Sequence, residues 1–302
     1  MGLRWEVGGD WPNYFNRYYD VESILDKIQL NRDPLYQFVN NIFSLAGFKY
    51  PFFNFATSFF LIYPYYLLLK NVKYKELSLL ILFSYCLMIV NPGYVRQAFS
   101  IAIFVYLAMS YQKIPLPWML FWCVIATLFH KSGIVSIIFL LISIQSFLAK
   151  IILIGLGLLV LGVQFIEILF NKATDYLESD RYTIGAIIRL VFLAVSAIFY
   201  HSVVFLDYFQ TDARTRKLLN YGTLIIFALC GIAIFSTTLA DRFSLYFLFM
   251  IPIIIDGFLI KTKSSISYLI IAFVFSCWVP FWVTFANNAD DWLPFQISLE
   301  WF

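Results

Sequence analysis

The sequence predicts an all-α protein, a polytopic bundle of about ten transmembrane helices. Hydrophobic residues make up 62% of the 302 residues and charged residues only 13%, and the mean hydropathy is +0.81. The apolar residues fall in runs of roughly 15 to 22, the length that crosses a bilayer core. The net charge is only +3 and the basic residues are dispersed, so the lipid bilayer is an expected partner and nucleic acid is not.

The N-terminal part of the chain is predicted to lie at the membrane surface. Residues 13–30 place apolar side chains at helical spacing, and a second such pattern covers 35–47. Asp33 is expected to cap the second helix, Pro34 to occupy its first turn and Gly47 to end it. Both are expected to be amphipathic interfacial helices.

A single membrane domain is predicted for 1–302, because no Ser/Pro/Gly-rich linker or charged tract divides the chain. Residues 1–50 form the outer-face interfacial segment, 51–286 the transmembrane bundle and 287–302 an outer-face tail. The two shortish spans on either side of His130 could instead form a re-entrant pair. The predicted spans are 52–69, 77–90, 95–111, 115–129, 132–147, 150–169, 185–206, 218–238, 243–260 and 266–286.

Positive charge in the loops sets the predicted orientation. If every span crosses once, the basic loop residues fall on one side and nearly all the acids on the other. By the positive-inside rule the basic side is cytoplasmic. Both chain ends are then outside, and we expect a further first helix before Leu3, which would bring the bundle to about eleven spans. The basic loop residues are Lys70, Lys73, Lys75, Lys113, Lys150, Arg214, Arg216, Lys217, Lys261 and Lys263.

Arg96, Arg189 and Arg242 each lie near a predicted helix start on the outer face. A helix N-terminus already favours anions, so an arginine there works against helix stability and indicates an anion site, with phosphate or diphosphate as the expected ligand. Each arginine also has a structural alternative. Arg96 could snorkel to headgroups, Arg189 could have a buried acidic partner, and Arg242 could pair with Asp241.

His130 and Asp10 are the two candidate bases. His130 lies where a span is predicted to end, beside Lys131, whose charge favours a neutral imidazole, and Ser132, a predicted cap of the next helix. A histidine that caps the carbonyls of the preceding helix is the structural alternative. Asp10 could equally cap a helix that begins near Pro12. No DxD-like or HExxH pattern occurs, so no metal or other cofactor is expected.

Short polar and aromatic motifs recur on the predicted outer face. They are Arg4-Trp5 with Gly9-Asp10-Trp11-Pro12-Asn13-Tyr14, Asp33-Pro34-Leu35-Tyr36, Gly93-Tyr94-Val95-Arg96-Gln97, Phe129-His130-Lys131-Ser132, Ala240-Asp241-Arg242-Phe243 with Tyr246, and Trp292-Leu293-Pro294-Phe295. In this order, over essentially the whole chain, they resemble the EpsG-type membrane proteins, relatives of the Wzy polysaccharide polymerases. Two departures are Asp33, where the family usually has Glu, and the family's usual first helix, which precedes the matched segment.

The resemblance implies a GT-C-like fold and a polymerase that joins undecaprenyl-diphosphate-linked oligosaccharide repeat units of an exopolysaccharide, capsule or O-antigen on the outer face of the bacterial inner membrane. A sugar hydroxyl of the acceptor unit would attack the anomeric carbon of the donor chain, and undecaprenyl diphosphate would leave. Arg96, Arg189 and Arg242 would then bind the diphosphate, and a chain-length regulator protein would be a partner. Further substrate contacts are expected at Arg4, Trp11, Tyr14, Gln97, Lys131, Glu178, Arg181, Asp241 and Tyr246.

Two other function classes stay open. A membrane acyltransferase that modifies a surface glycan could also have about ten spans, but its cytoplasmic acyl-CoA donor would require functional residues in the inner half of the bilayer. A lipid-linked glycan transporter would place ionisable residues near the bilayer midplane and show inverted repeats. No internal repeat is evident, and only Arg189 and Asp256 approach the interior of a predicted span.

Overall fold

The computed structural model describes residues 2, 4–26, 28, 33–144, 155, 184–285 and 296–297. Most of these residues are helical, and the predicted all-α helical bundle is confirmed. Two short strands, β1 (Arg4–Trp5) and β2 (Gln296–Ile297), pair antiparallel with Arg4 opposite Ile297. The described helices are α1 Trp11–Tyr19, α2 Pro34–Leu45, α3 Tyr50–Asn71, α4 Lys75–Gly93, α5 Val95–Ser110, α6 Leu116–Phe129, α7 Lys131–Ser143, α8 Ile184–Phe205, α9 Ala213–Ile232, α10 Thr237–Phe247, α11 Met250–Thr262 and α12 Ser265–Phe285.

By length and hydropathy, four of the described helices can cross a membrane: α3, α4, α8 and α12. The pair α10 and α11, bent by 47°, makes a fifth if it is counted as one broken span. The apolar helices α5, α6 and α7 are shorter, with 10–17 residues each. Every predicted span on described residues coincides with a helix or, for 243–260, with the bent pair, whereas the predicted span 150–169 falls outside them apart from Gly155. The count of about ten crossings therefore stays a prediction.

Three helices change geometry along their length. α4 contains a π-helical segment, Phe83–Val90, α7 begins with a 3₁₀ turn, Lys131–Ser136, and α10 ends with one, Leu245–Phe247. Such changes are frequent at functional positions and at helix ends. The two 3₁₀ turns lie next to each other at the candidate site described below, where Ser132 and Tyr246 share a hydrogen bond.

The second N-terminal helix, α2, buries polar side chains and exposes apolar ones. Gln37, Asn40 and Asn41 face the interior, while Phe38 and Ile42 are exposed. A water-soluble helix has the opposite arrangement, because its apolar face avoids water. The outward apolar face of α2 suits contact with lipid, which agrees with the predicted interfacial position.

Local details of the N-terminal segment correct two expectations and confirm a third. The first helix ends at Tyr19, not near residue 30, and 20–26 form bends and turns. Asp33 precedes α2, but its side chain does not cap the helix; it bonds Arg96 instead. Gly47 follows the end of α2 with φ of +83°, a conformation that favours glycine, so that expectation is confirmed.

Polar contacts gather at two opposite ends of the helices. The arginine end, where α4 and α6 finish and α5 and α8 begin, holds Arg96, Arg189 and Arg242. The lysine end, where α3, α5 and α11 finish and α9 begins, holds Lys217 and Lys261. This grouping follows from helices that run alternately up and down, as the loop charges predict. Which end faces the cytoplasm stays a prediction.

Candidate functional site at the arginine end

Arg96, the second residue of α5, is held by a carboxylate and an aromatic ring from the N-terminal segment. Its Nη1 donates to Asp33 Oδ2 at 2.8 Å, and its Nε lies 3.4 Å from the Tyr14 hydroxyl. The Arg96 guanidinium carbon is also 5.7 Å from the centroid of the Tyr14 ring. The Arg96 side chain is 33% exposed, whereas that of Asp33 is 7% exposed. Arg96 is thus fixed from one side and accessible from the other.

Asp33 is a site residue that the sequence analysis assigned only to helix capping. Its backbone has a φ of 54°, which is uncommon for a residue other than glycine. Burial raises the pKa of Asp33, and this effect is opposed by the charge of Arg96 and by a hydrogen bond from the Lys131 backbone N–H. The Asp33-Pro34 motif in the resemblance was the one signal that pointed to it. Asp33 links α2, α5 and the start of α7.

Arg242 is positioned by Gln97 and Tyr94. Gln97 Nε2 donates to the Arg242 carbonyl at 2.5 Å, and Arg242 Nη1 lies 3.5 Å from Gln97 Oε1. The Arg242 guanidinium carbon is 5.4 Å from the Tyr94 ring centroid. Gln97 is buried and supports Arg242, and its expected contact with a substrate stays a prediction. Among the described residues, no carboxylate lies within ion-pair distance of Arg242, which excludes the expected Asp241–Arg242 pair.

The chain reaches α5 through a break at Tyr94. Helix α4 runs through Asn91-Pro92-Gly93, and Tyr94, with φ of −115° and ψ of 53°, separates α4 from α5. Arg242 likewise lies in the last α-helical turn of α10, not near its start. A cation at the end of a helix is favourable, so the helix-dipole argument for an anion site does not apply to Arg242.

Arg189 has the buried acidic partner that was its structural alternative. Its Nε and Nη2 donate to the two carboxylate oxygens of Asp241 at 2.5 and 2.6 Å, and its Nη1 donates to the Tyr85 hydroxyl at 2.7 Å. This bidentate pair neutralises the guanidinium. Arg189 and Asp241 therefore join α8 to α10 as an ion pair, and their expected contacts with a substrate stay predictions.

His130 opens a tight turn between α6 and α7. Its backbone is extended, and its Nδ1 lies 2.6 Å from Ser132 Oγ and 3.3 Å from the Ser132 N–H. His130 therefore occupies the cap position of the following 3₁₀ turn, where Ser132 had been expected as the cap. The turn approaches its neighbours so closely that a Cβ on Gly133 would lie 2.3 Å from the Ala126 carbonyl oxygen. Only glycine fits there, and this close approach fixes the position of His130.

The imidazole of His130 is neutral. Burial, followed by the positive charges of Arg242, Arg96 and Lys131 in that order, lowers its pKa to about 3. Three cations therefore lie close enough to act on the ring. In the described residues, Asp33 is the carboxylate that acts on these cations. The Asp241 carboxylate is already paired with Arg189. The neighbourhood of His130 thus carries a net positive charge.

Two expected substrate residues are buried behind the site. Tyr246 is fully buried, with its hydroxyl 2.9 Å from Ser132 Oγ and donating to Ser100 Oγ at 2.8 Å. Arg4 is 3% exposed and donates to the Pro92 carbonyl. Neither side chain presents a surface to a substrate. In this structure both side chains support their neighbours, and their expected contacts with a substrate stay predictions.

The remaining expected residues of the N-terminal motif differ in exposure. Trp11 is buried and packs against Trp5 and Phe15 at centroid distances of 5.0 and 4.7 Å. Its role here is core packing. Asp10 precedes α1 and is exposed, and its side chain makes no capping hydrogen bond. Among the described residues at the arginine end, none forms a side-chain hydrogen bond or ion pair with Asp10.

Two expected substrate residues, Glu178 and Arg181, lie outside the described residues. Within the described ranges, no group of three or more His, Cys, Asp or Glu side chains is arranged to hold a metal ion.

A family model described as the EpsG family matches residues 1–297. The chain belongs to the EpsG family. Membership makes it a membrane protein of polysaccharide biosynthesis, related to the polymerases of that process. No curated protein and no solved structure matches the chain. The EpsG match spans both strands and every described helix, so the arginine end and the lysine end belong to the same family domain.

Proposed function

We propose that this protein is a glycosyltransferase that joins undecaprenyl-diphosphate-linked oligosaccharide repeat units at the arginine end of its bundle. The observation that carries the proposal is an excess of cations. Arg96, Arg242 and Lys131 all act on the His130 ring, and Asp33 supplies the one nearby carboxylate in the described residues that is not already bidentately paired. An oligosaccharide diphosphate would neutralise this excess and accept the guanidinium hydrogen bonds.

In the proposed reaction, His130 acts as the base. It accepts the proton of a sugar hydroxyl on the acceptor unit, the hydroxyl oxygen bonds to the anomeric carbon of the donor chain, and the bond between that carbon and the diphosphate oxygen breaks. Arg96 and Arg242 stabilise the negative charge that develops on the departing undecaprenyl diphosphate. A chain-length regulator would act on this reaction as a separate partner protein.

Donor binding should strengthen the base. Two causes of the low pKa of His130 are the charges of Arg242 and Arg96, which a bound diphosphate would compensate. The folded-state pKa should therefore rise from about 3 toward the ordinary histidine range when the anion binds. An NMR titration of the imidazole with and without inorganic diphosphate measures this change. An unchanged titration at saturating diphosphate would contradict an anion site beside His130.

The activity test uses the purified protein in lipid nanodiscs with isolated lipid-linked repeat units. The wild-type protein should form polymer and release undecaprenyl diphosphate. His130→Ala should bind the donor normally but turn over about 10² to 10⁴-fold more slowly, because a general base is removed. A protein that makes no polymer but transfers an acyl group, or moves the lipid-linked unit across the bilayer, would instead support one of the alternative classes.

The proposed location is the bacterial cytoplasmic membrane with the arginine end outside. Reporter fusions after Lys75, Lys217 and Lys263 should report the cytoplasm, and fusions after Asp180 and Asn288 should report the outside. The loop charges support this orientation. A cytoplasmic signal at Asp180 would reverse it and would remove the substrate from the site, because the polymerisable units are used on the outer face.

A further inference from the structure

A chain of three hydroxyl groups runs from His130 into the interior of the bundle. His130 Nδ1 lies 2.6 Å from Ser132 Oγ, which lies 2.9 Å from the Tyr246 hydroxyl, which donates to Ser100 Oγ at 2.8 Å. Ser132 begins α7, Tyr246 lies at the end of α10 and Ser100 lies in α5. All three hydroxyl-bearing residues are buried. The chain therefore joins three helices directly behind the imidazole.

The direction of these hydrogen bonds decides which nitrogen of His130 carries the proton. Each hydroxyl has one hydrogen, and Tyr246 donates its own to Ser100. Ser132 can then donate to the Tyr246 oxygen, which leaves Ser132 Oγ to accept from a protonated Nδ1. In this head-to-tail order the Ser132 and Tyr246 oxygens each donate and accept, and hydrogen bonds ordered in this way strengthen one another.

The tautomer with the proton on Nε2 leaves the hydroxyl chain less completely paired. It would use Nδ1 as an acceptor for the Ser132 hydroxyl and for the Ser132 N–H, but the N–H contact is 3.3 Å, against 2.6 Å for the hydroxyl contact. The Tyr246 oxygen would then lose the donor that Ser132 supplies in the first arrangement. A buried oxygen without its donor is unfavourable. The 2.6 Å contact is compatible with either tautomer, and the complete pairing of the hydroxyl chain favours the proton on Nδ1 over the single 3.3 Å N–H contact.

We propose that Ser132 and Tyr246 are positioning residues that hold His130 in the Nδ1–H tautomer, so that Nε2 is left as the proton acceptor. This inference rests on the proposed function only for the identity of the acceptor hydroxyl; the tautomer itself is a property of the unliganded protein. After proton transfer, the same hydroxyl chain stays in place, because the imidazolium still donates from Nδ1 to Ser132. Ser100 terminates the chain inside α5.

The test combines a tautomer measurement with kinetics. Nitrogen-15 NMR of histidine-labelled protein distinguishes protonated from unprotonated Nδ1, and a His201→Asn variant assigns the signals because the chain has only 2 histidines. Wild-type His130 should be protonated on Nδ1. In Tyr246→Phe, Ser132 loses its acceptor and should donate to Nδ1 instead, which moves the proton to Nε2. Turnover should fall about 3- to 10-fold, the effect of one net hydrogen bond, with donor KM unchanged.

Matched variants separate positioning from packing. Tyr200→Phe removes another fully buried tyrosine hydroxyl, bonded to Asn220 at 2.6 Å at the lysine end, and should change neither the tautomer nor the turnover. Ser132→Ala should reproduce Tyr246→Phe, and Ser132→Thr, which keeps the hydroxyl, should restore wild-type behaviour. A wild-type ring protonated on Nε2, or a tautomer and turnover unaffected by Tyr246→Phe, would overturn the proposal. If the wild type makes no polymer while the tautomer responds as expected, the proposed function fails and the positioning role stands.

Discussion

The two ends of the bundle both carry cations, but the partners of these cations differ. At the lysine end, Lys217 donates to the Ile142 carbonyl at 2.9 Å and Arg214 donates to the Ala108 carbonyl at 3.3 Å. Lys261 pairs with the exposed carboxylate of Asp207 at 2.9 Å. These side chains close helix ends, where a cation is favourable. No further ligand is needed to explain them.

At the arginine end, the described partners do not neutralise the positive charges of Arg96 and Arg242. Arg242 bonds a neutral amide and stacks on a tyrosine ring, and Arg96 shares one carboxylate while staying a third exposed. Arg189 is the exception, since Asp241 and Tyr85 occupy it. The difference shows that an arginine indicates an anion site when no carboxylate neutralises it. Its position in a helix does not decide this.

The largest expected effect is on polymer formation by Arg242→Ala. Loss of charge-assisted hydrogen bonds to the diphosphate should reduce polymerisation by about 10²-fold or more, and Arg242→Lys should rescue poorly because lysine lacks the bidentate fork. Arg214→Ala is the matched control, because Arg214 also stacks on a tyrosine ring, 5.0 Å from the centroid of Tyr111. The measurement is in vitro polymerisation per folded molecule. Equal losses in both variants would remove the distinction between the two ends.

The next effect separates Arg189 from the other two arginines. Arg189→Ala should lower the free energy of unfolding by about 3–5 kcal/mol, because it leaves the buried Asp241 carboxylate without its partner. The double variant Arg189→Met with Asp241→Leu should recover most of that stability. Thermal unfolding in detergent measures both. A stable Arg189→Ala protein that has lost donor binding would return Arg189 to the diphosphate site.

A smaller effect is expected at the lysine end from Asp256→Ala. Asp256 Oδ1 accepts from the Lys73 and Tyr74 backbone N–H groups at 2.9 and 2.8 Å, and so caps the start of α4 from α11. Its loss should cost about 1–3 kcal/mol of stability. Polymerisation per folded molecule should stay at the wild-type level. A selective loss of turnover in this variant would show that the reaction depends on both ends.

The smallest effect is expected from Asp207→Ala. The Lys261 ammonium lowers the pKa of Asp207, but this carboxylate is fully exposed and solvent screens the pair. Unfolding temperature and polymerisation should both match the wild type. A clear destabilisation would mean that the lysine end has contacts beyond those described.

The order of the motifs, read from the sequence, anticipated much of the arginine end. The predicted residues Arg96, Arg242, His130 and Lys131 do lie together, because alternating spans bring every second helix boundary to the same end. Asp33 was named only as a cap, since capping is a local pattern and its contact with Arg96 is 63 residues away. Tyr246 was expected to meet substrate, since a motif does not show which face of a helix is buried.

The sequence by itself determined the helical membrane class, the approximate position of most described helices and the family, because apolar run length, loop charge and motif order are one-dimensional properties. The tertiary structure alone decided which polar groups meet. Arg189 meets Asp241 across 52 residues, Arg242 meets Gln97 across 145 and Tyr246 meets Ser100 across 146. Such pairs depend on how the helices pack against one another, and no local pattern encodes that packing. For this reason the sequence located the cations, and the packing separated the paired Arg189 from Arg96 and Arg242, which are proposed to bind the diphosphate.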